Sequence, residues 1–258
     1  MGKIIAFSNQ KGGVGKTTTA INMAAYLARS GKKVLLADMD PQGNSSTGNG
    51  IEKGELEKTI YDLLLGRATA NDVIFGTAVE NLHILPCNMD LAAAEVELVN
   101  MEDREHVLKR ALTPIRNFYD YILIDCPPSL GLLTINALTA CDEVIIPIQC
   151  EFFALEGLSQ LIYTIKLVRQ RLNPKITVSG VVITMYDGRS LMSRQVAGEI
   201  NRYFANKVFS TVVPRNVKLC EAPSYGVPIV LHAPRSNGAI AYEKITKEYL
   251  RREESNNG

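Results

Sequence analysis

The chain has 258 residues, 46% of them hydrophobic, and a formal net charge of +1. This length is typical of one α/β domain with a sizeable core, and the near-neutral charge by itself indicates no partner. The first apolar run is short and interrupted by Lys3, so we expect no signal peptide, and no run of about 18 apolar residues predicts a membrane span. Five cysteines without a C-x-x-C pair predict reduced thiols in a cytosolic protein.

The first predicted elements are a buried strand, a glycine-rich loop and a helix. The loop glycines allow the backbone to turn tightly and to point successive N–H groups at an anion. The helix N-terminus adds the positive end of its dipole. Lys16 is placed to reach the β- and γ-phosphates of a nucleotide, and the Thr17 hydroxyl is placed to ligate Mg²⁺. The predicted phosphate-binding residues are Lys11, Gly12, Gly13, Val14, Gly15, Lys16, Thr17 and Thr18.

The loop contains one lysine more than a phosphate-binding loop needs. The common pattern G-x-x-x-x-G-K-[ST] ends here at Lys16 and Thr17, but Gln10 occupies its first glycine position and Lys11 follows. Because Lys16 already serves one nucleotide, Lys11 would be used best by a second nucleotide on an opposing chain. The other interpretation is an ordinary solvated loop lysine.

The rest of the chain alternates predicted strands and helices, with residues 45–58 expected to form a mobile surface loop. This alternation predicts an α/β fold with a doubly wound, mainly parallel β-sheet flanked by helices. We expect a single domain over 1–258 with a polar tail from about residue 252. The predicted strands are 3–8, 33–37, 82–86, 121–125, 143–148, 178–184 and 208–213. The predicted helices are 16–29, 91–99, 104–118, 154–172, 191–205 and 237–252.

Three aspartates follow or close predicted strands, where ligands bind in such sheets. Asp125 closes an apolar strand, the usual place of a carboxylate that faces a metal; the other interpretation is a loop cap. Asp38 and Asp40 are two residues apart in an extended segment, so both can point the same way. The spacing alone does not separate their roles.

Three motifs together resemble the ParA/MinD superfamily of ATPases with a deviant Walker A motif. They are K-G-G-V-G-K-T-T from Lys11, D-M-D-P-Q from Asp38, and I-D-C-P-P around Asp125. The similarity covers nearly the whole chain and is closest to the small chromosomal ParA (Soj-type) branch. It implies a P-loop ATPase whose Lys11 reaches across an ATP-dependent sandwich dimer.

The same resemblance assigns further roles. Lys11, Lys16 and Asp40 would be catalytic, with Asp40 orienting the attacking water. Asp38 and Asp125 would hold Mg²⁺ together with Thr17. No [NT]-K-x-D guanine motif occurs in the chain, which favours ATP over GTP. The family's adenine-binding segments correspond to Met185, Pro214 and Asn216 here.

A basic run suggests a polyanionic partner. Six basic residues and one acidic residue, Glu199, lie between Arg189 and Lys218. Such an excess is typical of contacts to a phosphate backbone, although it also occurs on simply solvated faces. No helix-turn-helix or zinc-finger pattern is present, so binding to double-stranded DNA should ignore sequence. The predicted DNA contacts are Arg189, Arg194, Arg202, Lys207 and Lys218.

The resemblance implies a cycle for these parts. The ATP-bound homodimer would coat the nucleoid in the cytoplasm. A ParB-type centromere-binding protein would stimulate hydrolysis, which releases the dimer and drives chromosome or plasmid segregation.

Three other interpretations remain open. A MinD-like membrane-associated positioning ATPase would need an amphipathic C-terminal helix, whereas this chain ends in polar residues. An iron–sulfur reductase would need cysteine ligands, and neither Cys126 nor Cys150 has such a spacing. A ligase that phosphorylates a small carboxylate would leave Lys11 without a purpose. We expect ordinary structural roles for the three histidines.

Overall fold

The structure, a computed structural model, describes residues 1–257. It contains one seven-stranded sheet. The strands are β1 (Lys3–Phe7), β2 (Val34–Asp38), β3 (Phe75–Gly76), β4 (Leu82–Leu85), β5 (Tyr121–Asp125), β6 (Glu143–Gln149) and β7 (Thr177–Thr184). Their order is β3-β4-β2-β5-β1-β6-β7, and only the β3–β4 pair is antiparallel. The predicted mainly parallel sheet is therefore confirmed.

Helices cover both faces of this sheet. They are α1 (Lys16–Arg29), α2 (Asn44–Thr47), α3 (Ile60–Leu64), α4 (Ala70–Val73), α5 (Leu91–Glu97), α6 (Val107–Leu112), α7 (Leu132–Ala140), α8 (Ala154–Arg171), α9 (Leu191–Phe204), α10 (Val217–Glu221), α11 (Ile229–His232) and α12 (Asn237–Asn257). α1 and α10 to α12 pack on one face, and α3 to α9 pack on the other. β2 and β5 are buried along their whole length, which explains their continuous apolar sequences.

The predicted strand over 208–213 is wrong. Its backbone donates hydrogen bonds from Phe209 to the Val181 carbonyl at 3.0 Å and from Val213 to the Ile183 carbonyl at 2.8 Å. Four residue steps of this segment therefore lie against two steps of β7. The extra length bulges outward and prevents a regular ladder.

The single helix predicted over 104–118 is also wrong. The structure has a 3₁₀ helix at Arg104–His106, then α6, then a second 3₁₀ helix at Thr113–Phe118. Pro114 lies at the start of this last segment and has no backbone N–H, so the α-helical hydrogen bonds cannot continue through it.

The C-terminus differs from the predicted polar tail. α12 continues to Asn257 because its last turns have partners in the body of the protein. Lys3 forms an ion pair with Glu253, and Arg252 donates to the Val208 carbonyl at 2.8 Å. No helix within residues 1–257 is long and apolar enough to cross a membrane.

Candidate functional site

The loop between β1 and α1 has the geometry of an anion cradle. Gly13 and Gly15 have φ angles of 73° and 81°, the left-handed region in which a side chain would be strained. Thr184 donates from Oγ1 to the Val14 carbonyl at 2.8 Å, which ties the loop to the end of β7. Within the described residues, the amides of Gly13 and Gly15 have no acceptor. They are therefore available to the oxygens of a phosphate group.

The two loop lysines have different surroundings. Lys16 is buried, and its Nζ donates to the Lys11 carbonyl at 3.1 Å. Burial lowers the pKa of Lys16, and the nearby Asp125 carboxylate opposes this effect. Lys11 instead points its Nζ to Glu151, with which it forms an ion pair at a half-exposed position. Only Lys16 thus faces the anion cradle of its own chain.

Two carboxylates lie beneath the cradle. Asp38 and Asp125 are the last residues of β2 and β5, where they pair in register, and both are fully buried. Burial, reinforced by the neighbouring Asp38 charge, raises the pKa of Asp125, and burial also raises the pKa of Asp38. Within residues 1–257, Oδ1 of Asp125 has no hydrogen-bond partner. Such an unsatisfied buried oxygen is suited to a metal ion or a metal-bound water.

Two serines that the sequence analysis missed orient these carboxylates. Ser45 donates from Oγ to Oδ2 of Asp125 at 2.8 Å, and Ser46 donates from both N and Oγ to Oδ2 of Asp38 at 2.7 Å. Both serines belong to α2, inside the segment expected to be a mobile loop, and both are fully buried. Their position shortly after the D-P-Q-G run was the available signal, because consecutive serines near an acidic motif can donate to its carboxylates.

Asp40 is held at the edge of the site by its backbone neighbours. Its Oδ1 accepts from the Gln42 amide at 3.1 Å, and its carbonyl accepts from the Cys87 thiol at 2.8 Å. Cys87 also donates its amide to Ser46 Oγ at 3.0 Å. These contacts anchor the backbone of Asp40 to the segment that follows β4. The Asp40 residue borders the cavity described next.

A cavity of about 630 Å³ joins the cradle to the loops that follow β7. Met185 lies in this wall with a φ of 48°, an uncommon conformation for a residue with a side chain. The sequence-predicted residues that line the cavity are Gly12, Gly13, Gly15, Lys16, Thr17, Thr18, Asp40, Met185, Pro214 and Asn216. Segments far apart in sequence thus meet at one site, as predicted for the carboxyl ends of parallel strands.

Four of the residues predicted for the nucleotide and metal sites do not line this cavity. Val14 is buried and contributes its carbonyl to the contact with Thr184, and Lys11 points away to Glu151. Asp38 and Asp125 lie below the cavity floor. Thr17 lines the cavity, and its side chain lies close enough to Asp125 to lower the pKa of that carboxyl in part.

The predicted DNA-binding residues lie on the surface, outside the cavity. Most of them are engaged locally. Arg189 pairs with Asp187 at 3.2 Å, Arg202 with Glu199 at 2.7 Å and Lys218 with Glu221 at 2.8 Å. Arg194 donates to the Gly188 carbonyl at 2.9 Å, and Lys207 is exposed. Acidic residues just outside the basic run, Asp187 and Glu221, therefore reduce its local charge.

The site fits a magnesium nucleotide. Its volume lies within the usual range for small-ligand pockets, about 300–1,000 Å³. Mg²⁺ in such sites takes one or two carboxylates and completes its shell with phosphate and water. Among residues 1–257 no group of three or more His, Cys, Asp or Glu side chains could hold a metal ion by itself. A metal that enters together with its nucleotide agrees with this arrangement and with the free Oδ1 of Asp125.

Comparison with known proteins gives the family. A family model described as an AAA domain matches residues 2–178. The sporulation initiation inhibitor protein Soj of Bacillus subtilis (strain 168) is 57% identical over 248 residues, which cover 96% of this chain and 98% of that protein. The chromosome-partitioning ATPase Soj of Treponema pallidum (strain Nichols) is 52% identical over 253 residues, covering 98% of this chain and 99% of that protein.

A solved structure agrees with the fold. The cobyrinic acid a,c-diamide synthase of Mycobacterium smegmatis, crystallised with ADP and magnesium, superposes with a TM-score of 0.88 at 37% identity. The match covers 99% of this chain and 97% of that chain. With these relatives, the chain belongs to the ParA/MinD superfamily of P-loop ATPases, in its Soj/ParA chromosome-partitioning branch.

Proposed function

We propose that this protein is a magnesium-dependent ATPase that binds DNA as an ATP-dependent dimer and partitions chromosomes or plasmids. The observation that carries the proposal is that the anion cradle and Asp40 line one cavity and the buried Asp38–Asp125 pair lies directly beneath it. Relatives that are named Soj and chromosome-partitioning ATPase support the biological role.

Each residue has a defined task in ATP hydrolysis. The free amides of the cradle and Lys16 bind the phosphates. Thr17 and Asp125, with Asp38 behind them, would hold Mg²⁺, which neutralises the charge that develops on the transferred phosphate. Asp40 borders the cavity and orients the attacking water. This division of labour suits phosphoryl transfer, in which positioning and electrostatics do most of the catalysis.

The surroundings of Lys11 favour a face-to-face dimer. Lys11 is half exposed and lies outside its own cavity, where its contact with Glu151 is an exposed ion pair that a second chain could replace. Beside its partner Glu151, Phe152 and Phe153 are 72% and 65% exposed. Apolar side chains around an available lysine are typical of a surface that another subunit covers. A second copy would thus bring Lys11 to the nucleotide opposite and exclude water from both sites.

DNA binding and partner control complete the proposed cycle. The exposed basic residues between Arg189 and Lys218 would hold duplex DNA without sequence preference, and dimerisation would double their number. We propose that the ATP-bound dimer associates with the nucleoid. A ParB-type centromere-binding protein would then accelerate hydrolysis and release the dimer.

The C-terminal helix does not favour the MinD-like interpretation. An interfacial membrane helix needs a free apolar face. In α12 the apolar side chains Tyr242, Ile245 and Tyr249 are buried in the core, and the last turns pair with the protein body through Glu253. Little apolar surface therefore remains for a bilayer. Sedimentation with liposomes in the presence of ATP would reveal any membrane binding.

The Mycobacterium smegmatis structure is named as a diamide synthase that acts on cobyrinic acid, a reaction of the class in the ligase interpretation. The Soj relatives have higher identity over nearly the same length. A ligase would hydrolyse ATP only with its acid substrate and an amide donor. ATP turnover that responds to DNA and to a ParB-type protein, without a small substrate, would exclude it.

The central experiment measures molar mass by light scattering with ATP, ADP or no nucleotide, with and without random-sequence duplex DNA. We expect a monomer without nucleotide and a DNA-binding dimer with ATP. Asp40→Ala should bind ATP, dimerise and hydrolyse at least tenfold more slowly, because only water orientation is lost. Lys11→Ala should bind ATP and remain monomeric. ATP-dependent dimers of Lys11→Ala with normal turnover would contradict the shared site.

A further inference from the structure

A second basic surface lies outside the run considered so far. Residues 157–186 contain four basic side chains and no acidic one. Lys166 and Arg169 lie on the solvent face of α8, Arg171 ends this helix, and Lys175 precedes β7. All four residues are exposed. Tyr163, 64% exposed, lies one turn before Lys166 on the same face.

These four side chains differ in their local partners from three of the six basic residues between Arg189 and Lys218. Within residues 1–257 none of them forms an ion pair, whereas Arg189, Arg202 and Lys218 each pair with a carboxylate. A phosphate group that approaches an arginine already paired with a carboxylate must either displace that carboxylate or bind beside it, where the two negative charges repel each other. An unpaired cation exchanges only mobile counterions, so its full charge contributes to polyanion binding.

The position of α8 keeps this surface away from the nucleotide. The helix begins at Ala154, three residues after Glu151, which pairs with Lys11 of the cradle loop. Because a helix rises about 1.5 Å per residue, Lys166 and Arg169 lie roughly 18 and 23 Å along the axis from that end. Two chains that meet through their nucleotide faces would therefore leave these side chains accessible.

The neighbouring helix α9 places Arg194 and Arg202 of the basic run on the same side of the sheet as α8, whereas Lys218 belongs to α10 on the opposite face. α8 and α9 both pack on the same face of the sheet and contribute Leu161, Ile165, Val196 and Ile200 to one apolar core. Their solvent sides therefore lie next to each other. Unpaired charges from α8 and paired charges from α9 can then act on the same extended polyanion.

We propose that the α8 cationic surface, formed by Lys166, Arg169, Arg171 and Lys175, contacts the phosphate backbone of double-stranded DNA in the ATP-bound dimer. The inference rests on the DNA binding proposed above. It assigns a DNA contact to residues that lie outside the basic run between Arg189 and Lys218. The segment that forms this surface supplies four cations and an exposed tyrosine and contains no acidic residue, which matches a phosphate backbone in charge. Because the α8 cationic surface is distant from the cavity, ATP does not contact it and can affect its DNA binding only by joining two copies of the chain.

The test compares two triple variants that each remove three exposed positive charges. Lys166→Ala/Arg169→Ala/Lys175→Ala alters the α8 cationic surface, and Arg171 is kept because a basic residue in the last turn stabilises the helix. The matched control is Lys33→Ala/Lys58→Ala/Lys109→Ala, in which all three lysines are exposed and form no ion pair within the described residues. Fluorescence anisotropy of a labelled random-sequence duplex gives the affinity at several salt concentrations. Light scattering and binding of a fluorescent ATP analogue check the dimer and the nucleotide site.

We expect the α8 variant to bind DNA at least tenfold more weakly than wild type near 0.1 M salt, with unchanged ATP binding and dimerisation. Its dimer lacks six charges, and each lost phosphate contact reduces the salt dependence by about 0.9, so the slope should fall by up to about five. The control should keep the wild-type affinity. Equal DNA affinity of both triple variants would overturn this inference and leave the proposed function intact. If wild type with ATP did not bind DNA at all, the proposed function itself would fail.

Discussion

Asp38 and Asp125 stand opposite each other at the ends of two neighbouring parallel strands, and both side chains are completely buried. Side chains paired in register lie on the same side of a sheet, so two carboxylates share one small volume beneath the cradle. Such a pair is costly when ionised and unaccompanied by a cation. A cation beside the two carboxylates would remove this cost, which agrees with the metal-binding role proposed for the pair.

The first prediction concerns pH in the absence of nucleotide and metal. Burial and mutual repulsion raise the pKa of Asp125 above that of an unfolded aspartate, about 3.9. The folded state then binds more protons than the unfolded state, so the free energy of unfolding should fall as pH rises from about 4 through the folded pKa. Asp125→Asn removes this penalty. It should be more stable than wild type at pH 8, by on the order of 1–3 kcal/mol, and lose most of that advantage at pH 5.

Urea denaturation at both pH values, in EDTA, measures this difference. Glu57→Gln is the control for the loss of one negative charge, because Glu57 is exposed and forms no ion pair within residues 1–257. Added Mg²⁺ and nucleotide should reverse the order at pH 8, since the Asp125 carboxylate of wild type carries a negative charge for the metal and the amide of Asp125→Asn does not. An Asp125→Asn advantage that is equal at pH 5 and pH 8 would contradict the account.

The second prediction concerns the serine that orients Asp125. Ser45→Ala removes the hydrogen bond from Ser45 Oγ to the buried carboxylate. The Mg²⁺ concentration that half-saturates nucleotide binding should rise several-fold, while binding of ATP without metal stays unchanged. A hydrogen bond to a charged group contributes about 1.5–3 kcal/mol, so the metal-free protein should also lose stability. Binding of a fluorescent ATP analogue, measured without metal and in a titration with Mg²⁺, separates the effect on Mg²⁺ dependence from any effect on ATP binding itself.

Thr47→Ala is the matched control for Ser45→Ala. Thr47 belongs to the same short helix, is exposed, and donates only to the Gly43 carbonyl. It should leave the Mg²⁺ dependence unchanged. If both variants required the same additional Mg²⁺, the effect would reflect loosening of α2 and not the orientation of Asp125.

The third prediction concerns the ion pair that holds Lys11 within its own chain. Glu151→Gln removes this partner and frees Lys11 for the opposing nucleotide. Exposed ion pairs contribute up to about 1 kcal/mol each and the dimer breaks two of them, so the ATP-dependent dimer should become up to about thirtyfold tighter. Analytical ultracentrifugation with ATP measures the dissociation constant. The control is Glu156→Gln, because Glu156 is exposed and lies in the first turn of α8; this variant should leave the dissociation constant of the dimer unchanged. A weaker dimer for Glu151→Gln would mean that Glu151 itself contributes to the interface.

The fourth prediction concerns the end of α12. Glu253 is buried against Lys3, which it joins to the last helix. Glu253→Gln should lower the free energy of unfolding by about 1 kcal/mol, because Lys3 keeps its second partner, Glu143, at 2.9 Å. Glu254→Gln, one position later and exposed, should have no effect. Equal urea midpoints for the two variants would indicate that the end of α12 is not anchored by this pair.

Local patterns predicted the regular parts of the protein well. The helix over 16–29 has the predicted bounds, because its glycine-rich start and apolar stripe are local features. The segment 208–213 has the apolar composition of a strand but bulges away from β7, since strand pairing depends on distant residues. The helix end at Asn257 was not predicted for a related reason. The polar composition of the last residues predicted a tail, because the pairing of Glu253 with the distant Lys3 cannot be seen in the sequence.

The sequence by itself determined the phosphate-binding chemistry and the family. The glycines, Lys16 and Thr17 are adjacent in the chain, and their spacing already defines the geometry around a phosphate. Tertiary structure alone decided which groups orient Asp125 and where Lys11 points. Ser45 is 80 residues from Asp125 and Glu151 is 140 residues from Lys11, so strand order and crossover connections bring them together. Spacing along a chain cannot reveal such contacts, because they depend on how the sheet is assembled.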